Sequence, residues 1–138
     1  MKFTESISVC FRKYAKFEGR ASRSEFWYFH LFIIISYGAL LTLMILSKSE
    51  IFIQLFPILI LGSILPSYAV TARRLHDVNK SGFFQLLPLP FLLISNASLP
   101  FAFLIFFSLL GLFSYFYLLF LYCKKGDLKD NNYGLNIY

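Results

Sequence analysis

Between Phe26 and Cys123 the chain carries charge in only two short places, at Lys48 to Glu50 and from Arg73 to Lys80. What remains are uncharged runs at residues 26–47, 51–72 and 83–123. A helix rises about 1.5 Å per residue, so about 20 apolar residues match a hydrocarbon core roughly 30 Å thick. The first two runs, of about 22 residues, each suit one crossing, and the third, of about 41, is too long for one and right for two. In hydrocarbon each backbone N–H and C=O must be satisfied within the protein, so such runs fold as helices. The chain therefore reads as an all-α integral membrane protein with four transmembrane helices, at 26–47, 51–72, 83–98 and 100–122.

With 58% hydrophobic and 14% charged residues in 138, too few charges remain to clothe a soluble domain, and one membrane domain accounts for the whole length. Turn-forming residues place the bend between the last two spans at Ser95-Asn96-Ala97-Ser98-Leu99-Pro100. Asn96-Ala97-Ser98 also matches a glycosylation sequon, but a turn this short at the membrane is a poor acceptor. The third segment is short and holds Pro88 and Pro90, so it is expected to be distorted, with a re-entrant segment as the competing reading. Pro57 and Pro66 should kink the second span. Ser63, Ser67 and Thr71, and then Ser108, Gly111 and Ser114, offer faces for close helix packing.

Ahead of the first span, in residues 1–25, Phe3, Ile7, Cys10, Phe11 and Tyr14 fall at helical spacing, with Lys2, Arg12, Lys13 and Lys16 largely off that stripe. This predicts a short amphipathic N-terminal helix, capped by Thr4, that either lies on the membrane surface or packs against the spans. A cleavable signal peptide is not expected, because the apolar run begins late and further spans follow it. Trp27, Tyr28 and His30 mark the headgroup level at the start of the first span.

The formal net charge of +6 is unevenly placed. Six Lys or Arg precede the first span, three lie in the hinge at 73–82, three lie in the tail at 123–138, and Lys48 is the remaining one. The positive-inside rule then puts both termini and the hinge in the cytoplasm, which an even number of spans allows. Basic residues flanking apolar blocks face lipid headgroups, each worth about 1 kcal/mol near an anionic surface, so membrane lipid, anionic phospholipid in particular, is the expected partner and nucleic acid is not. Cys10 and Cys123 each neighbour a cytoplasmic basic segment, which argues against a disulfide. Two isolated thiols and two isolated histidines make no metal site, and no cofactor motif is present.

Three polar stretches thus share one face of the membrane. They are Phe17-Glu18-Gly19-Arg20-Ala21-Ser22-Arg23-Ser24-Glu25-Phe26-Trp27, Arg73-Arg74-Leu75-His76-Asp77 with Lys80-Ser81-Gly82, and Asn132-Tyr133-Gly134. Their combination and order resembles the family called domain of unknown function 805, and the likeness spans nearly the whole chain. The resemblance implies a bacterial inner-membrane (plasma-membrane) protein, and it supplies no activity or catalytic residue.

If the second span continues as helix into the hinge, Arg73 and Asp77 are four apart and can pair, and Gly82 permits the reversal that follows. The candidate site is then Arg20, Arg23, Glu25, Arg73, Arg74, His76, Asp77, Ser81, Gly82, Asn132, Tyr133 and Gly134. Two readings fit it. One is a structural clasp that staples helix ends together. The other is an anionic site in which the guanidinium forks of Arg23, Arg73 and Arg74 hold a headgroup phosphate or an acidic segment of a protein partner, aided by His76 and Ser81. An enzyme with His76 as acid or base and Asp77 as its orienter is disfavoured, since adjacent helical side chains point about 100° apart and no nucleophile accompanies them. A transporter or channel subunit would need a homo-oligomer, because the spans bury no ionisable residue. The sequence thus favours a non-enzymatic membrane protein with a basic cytoplasmic motif cluster.

Overall fold

The computed structural model describes residues 1–94 and 100–138. Among them the regular elements are all helical: α1 (Phe3–Arg12), α2 (Arg23–Ser47), α3 (Glu50–Asp77), a 3-10 turn (Gly82–Leu86), α4 (Leu89–Ile94) and α5 (Phe101–Cys123). α2, α3 and α5 are long and apolar enough to cross a membrane. Apolar side chains cover their outer surfaces: Ile45, Leu46, Ile58, Leu61 and Phe113 are all exposed. Only hydrocarbon solvates such surfaces without cost, because a soluble monomer rarely tolerates apolar patches of this extent.

The expected third span is not one continuous helix over its described part. Gly82–Leu86 forms the 3-10 turn and Leu89–Ile94 a separate short helix. Pro88 and Pro90 lack the N–H groups that would carry an α-helical ladder through this point. The predicted bend at Ser95 to Pro100, with its sequon, falls outside the described residues up to Pro100, where α5 begins.

α1 packs inward through Ser6, Val9 and Cys10, all buried. Phe3 meets the edge of Tyr28, and Phe11 the edges of Phe29 and Phe32, at 5.6 to 6.1 Å between centroids. The helix is therefore a packing element against α2 and α3. Its cap is not Thr4, which lies inside the helix; the Glu5 side chain instead accepts the Lys2 N–H at 3.1 Å. Ser22 caps α2, accepting the Glu25 N–H at 3.2 Å, so α2 starts a turn before the apolar run and carries Arg23 and Glu25 as helical residues.

α3 continues unbroken from the apolar run through Asp77. Pro66 cannot donate to the carbonyl four residues back, Gly62. The Tyr14 hydroxyl fills that vacancy, donating to the Gly62 oxygen at 2.9 Å. The buried face of α3 runs Ser63, Pro66, Ala69, Val70, Arg73, Arg74 and Asp77. Ser67 and Thr71, expected on the packing stripe with Ser63, sit at its edge, half-buried, and Thr71 spends its hydroxyl on the Ser67 carbonyl at 2.7 Å.

The helix ends in a Schellman arrangement: Asn79, at φ +55°, donates its N–H to the His76 carbonyl, and the Lys80 N–H reaches back to Leu75. Asn79 thus makes the reversal expected of Gly82. Gly82 serves close approach instead, for a Cβ there would lie 2.8 Å from the Ala72 Cβ.

Burial is concentrated at one end of the bundle. Cys10, Ala21, Phe26, Phe29, Ile33 and Val70 form one cluster, and Leu75, Val78, Leu118 and Leu121 a second. Both adjoin the end where α2 begins, α3 ends and α5 ends.

Candidate functional site

Three arginines and two carboxylates occupy that end, all essentially removed from solvent. Asp77 is the central acceptor. Its Oδ1 takes hydrogen bonds from Arg20, 2.9 Å from both Nε and Nη2. Its Oδ2 takes one from Arg74 Nη1 and another, at 2.6 Å, from the Tyr138 hydroxyl. Arg73 pairs elsewhere, its Nη1 lying 2.7 Å from Glu25 Oε1. The Arg73–Asp77 pair expected from spacing therefore does not form. On a helix, spacings of three and four both bring side chains together. Arg74 takes Asp77 at i, i+3, while Glu25 on α2 offers Arg73 a partner of its own.

Most of the remaining guanidinium donors go to backbone carbonyls. Arg74 donates to the Tyr122 and Lys124 oxygens, covering carbonyls at the end of α5 that have no intrahelical partner, and to the Ala21 oxygen before α2. A cation there also suits the negative end of the helix dipole. Arg20 reaches Asp127, Lys129 and Leu135 carbonyls, so the tail after α5 is wrapped around one side chain. Backbone contacts complete the closure: Ala21 N–H to Arg73 O at 3.0 Å, and Asp127 N–H to Asp77 O at 2.9 Å. Arg73 Nη2 is buried with no hydrogen-bond partner.

His76 lies beside this network. Its Nδ1 is 3.1 Å from the Gly19 carbonyl, and its ring stacks on Tyr133 with centroids 4.0 Å apart and planes at 4°. Asn131, next to the predicted Asn132, holds the tail here: its Nδ2 donates to the His76 carbonyl at 2.9 Å and its Oδ1 accepts the Tyr133 N–H. Asn132 itself is exposed, as is Gly134, whose φ of +143° and short bridge to Asn131 shape the turn. Ser81 caps the 3-10 turn through the Phe83 N–H. Arg23 points outward and is exposed.

Of the predicted residues, then, Arg20, Glu25, Arg73, Arg74 and Asp77 form one buried network. His76, Tyr133, Ser81 and Gly82 border it, and Arg23, Asn132 and Gly134 stand outside.

Sequence reasoning missed Gly126, Tyr138 and Cys10. Gly126 is buried against Asp77, and a Cβ there would collide with that carboxylate. The signal was present as a lone glycine between Lys125 and Asp127, though nothing local showed what approaches it. Cys10 donates its S–H toward Glu25 Oε1 at 3.9 Å. Burial, and next the charge of Glu25, push this thiol up to about 12. Burial and the hydrogen bond to Asp77 also raise the Tyr138 phenol above its ordinary value. Among the described residues no three His, Cys, Asp or Glu side chains gather as metal ligands.

Chemically, this arrangement is a closed set. The two carboxylates balance two of the three guanidinium charges, and the negative ends of the surrounding carbonyl dipoles face the guanidinium donors. A buried charge cluster is strongly destabilising to break and contributes little net stability against an apolar alternative, so its consequence is specificity of arrangement.

The model of the family described as Protein of unknown function (DUF805) matches residues 14–135. The Inner membrane protein YhaI of Escherichia coli is 30% identical over 123 residues, which is 89% of this chain and 86% of that protein. The counterpart from a second strain of the same species gives the same figures. No solved structure matches the chain.

Proposed function

The chain belongs to the DUF805 family, and within it we propose a non-enzymatic, multi-pass inner-membrane protein that engages anionic lipid through an exposed basic rim, with the buried arginines serving as its structural clasp. The observation that carries this reading is the direction of the guanidinium groups. Arg20, Arg73 and Arg74 point at Glu25, Asp77 and chain carbonyls and are sealed from solvent. A headgroup phosphate would have to displace these partners. Arg12 and Lys16 are exposed and Lys13 partly so, around a concavity that also takes in Tyr14, Phe17 and Glu18, while Arg23 is exposed on a separate concavity with Trp27 and Tyr28. They supply cations with aromatic neighbours at headgroup depth.

The same reading takes four crossings with both termini cytoplasmic, and the following geometry supports it. α5 has 23 residues and a length of about 34 Å, and its C-terminus is held at the clasp by Arg74. Gly82 is also at the clasp end, whereas Phe101 begins α5 at the opposite end, which supports a crossing between them. Phe91 packs against Gly111, part-way along α5, which fits that course. The convergence of three basic segments at one end fits a cytoplasmic face. His76 supports a non-catalytic role, since one ring nitrogen is engaged with Gly19 and the ring is stacked on Tyr133.

Native mass spectrometry of the purified protein tests the assignment of roles. The triple variant Arg12→Gln, Lys13→Gln, Lys16→Gln is expected to fold at wild-type yield and lose retained phosphatidylglycerol, by roughly 3 kcal/mol at about 1 kcal/mol per residue. Arg74→Gln is expected to lose folded yield instead. Wild-type retention in the rim variant would refute the rim.

A further inference from the structure

A cavity of about 360 Å³ lies immediately on the membrane side of the clasp, between α2, α3, the segment around Gln85 to Pro88, and α5. Its position is fixed by the clasp itself. Phe26 follows Glu25 on α2, and Tyr122 is the residue whose carbonyl Arg74 holds. The volume lies within the roughly 300–1,000 Å³ of ordinary ligand sites.

The wall is mostly apolar, with Ile34, Leu118 and Leu119 among its residues, and no Lys, Arg, Asp or Glu lines it among the described residues. Trp27, Tyr115 and Tyr122 bring an indole N–H and two hydroxyls to this wall, and His30 and Gln85 bring acceptors. His30 Nδ1 lies 2.9 Å from the Phe26 carbonyl, which can only accept, so Nδ1 carries the proton and Nε2 of the neutral ring is an acceptor. Gln85 Oε1 is a second acceptor, buried and without a hydrogen-bond partner among the described residues. Thr71 adds no free donor, its hydroxyl proton being committed to Ser67. An orphaned buried acceptor is costly and calls for an occupant that donates.

We propose that this cavity binds a neutral membrane amphiphile with a hydroxyl head, of the diacylglycerol class, whose O–H is donated to Gln85 and His30 while an acyl chain follows the apolar wall of α2 and α5. Among the described residues no Lys or Arg lines the cavity to balance the charge of a phosphate, so charge selects against phospholipid heads here. Gln85 also borders the adjoining cavity of about 380 Å³ lined by His76, Ser81, Gly82 and Tyr133, which places the polar end toward the cytoplasmic-face motifs. The inference rests on membrane insertion and is independent of the basic rim, whose residues lie elsewhere.

Trp27 lines the cavity and is the one tryptophan in the chain, so its fluorescence reports occupancy. The full-length protein in phosphatidylcholine nanodiscs would receive, at equal low mole fraction, dibrominated diacylglycerol, dibrominated phosphatidylglycerol or dibrominated triacylglycerol, which has no hydroxyl. Bromine quenches the indole on contact. Diacylglycerol is expected to quench in excess of the other two, and the excess should weaken roughly three- to tenfold in Gln85→Leu and in His30→Phe. Gln85→Leu removes an unsatisfied buried group, so it should fold at least as well as wild type, and circular dichroism melting checks this. Equal quenching by all three lipids, greater quenching by phosphatidylglycerol, or an excess that survives Gln85→Leu in folded protein would overturn the proposal.

Discussion

Asp77 illustrates how much one side chain can organise. It joins Arg20 from the segment before α2, Arg74 from its own helix and Tyr138 from the tail. Replacing it with asparagine leaves two buried guanidiniums short of a counter-charge, so Asp77→Asn should cost about 3 to 5 kcal/mol. Tyr138→Phe removes one hydrogen bond made by a half-exposed residue and should cost about 1 kcal/mol. Denaturant titration in detergent separates the two; similar losses would contradict the central place given to Asp77. Thiol chemistry offers a second measurement at this scale. Cys10 is fully buried and its thiol is pushed up to about 12, whereas Cys123 is exposed. Iodoacetamide at pH 8 should modify one thiol in the folded protein and two after denaturation. The sign of the alkaline effect is fixed too. A folded pKa above the unfolded one means that the unfolded chain loses its proton first. The contribution of Cys10 is therefore complete below pH 9 and is lost as pH rises toward about 12. Tyr138, also raised, acts in the same direction above pH 10.

At the scale of elements, α3 shows how a membrane helix tolerates proline. The carbonyl that Pro66 frees is taken by Tyr14, from the segment just after α1, so a defect in one helix becomes a tether for another. Tyr14→Phe should cost about 1 kcal/mol in wild type and less beside Pro66→Ala, where an N–H returns to the Gly62 carbonyl. Thermal denaturation of the four species of this cycle measures the coupling, expected at about 0.5 to 1 kcal/mol, and additive effects would deny the tether. Helix identity and most boundaries were legible because uncharged length fixes them. The break at Leu87 and Pro88 was signalled by Pro88 and the neighbouring Pro90. Asn79 as the reversing residue was not, since a single Asn in the left-handed region is decided by the Schellman bonds around it and leaves no pattern in the sequence.

For the whole molecule, the packing is graded from a dense end, where clasp and both apolar clusters meet, to helix halves whose side chains face outward for lipid. The fold is held together at one membrane face. Reporter fusions test the topology proposed from this: a phosphatase joined after Lys48 or within 95–99 should be active in the periplasm, and a fluorescent protein after Tyr138 should glow in the cytoplasm. Cytoplasmic signal at both Lys48 and Tyr138 would refute four crossings.

The sequence alone determined that the chain is helical and of the membrane, because uncharged length and the need to satisfy every backbone group in hydrocarbon admit little else. It also brought the polar motifs to one face, since the distribution of Lys and Arg has only one reading under the positive-inside rule. The pairing within those motifs was decided by tertiary structure. Arg73 and Arg74 are adjacent and chemically alike, and Asp77 is within helical reach of both. Only the approach of α2 with Glu25, and of the tail with Gly126 and Tyr138, assigns Arg73 to Glu25 and Arg74 to Asp77. Such a choice depends on distances between segments 48 to 61 residues apart, where local periodicity carries no information.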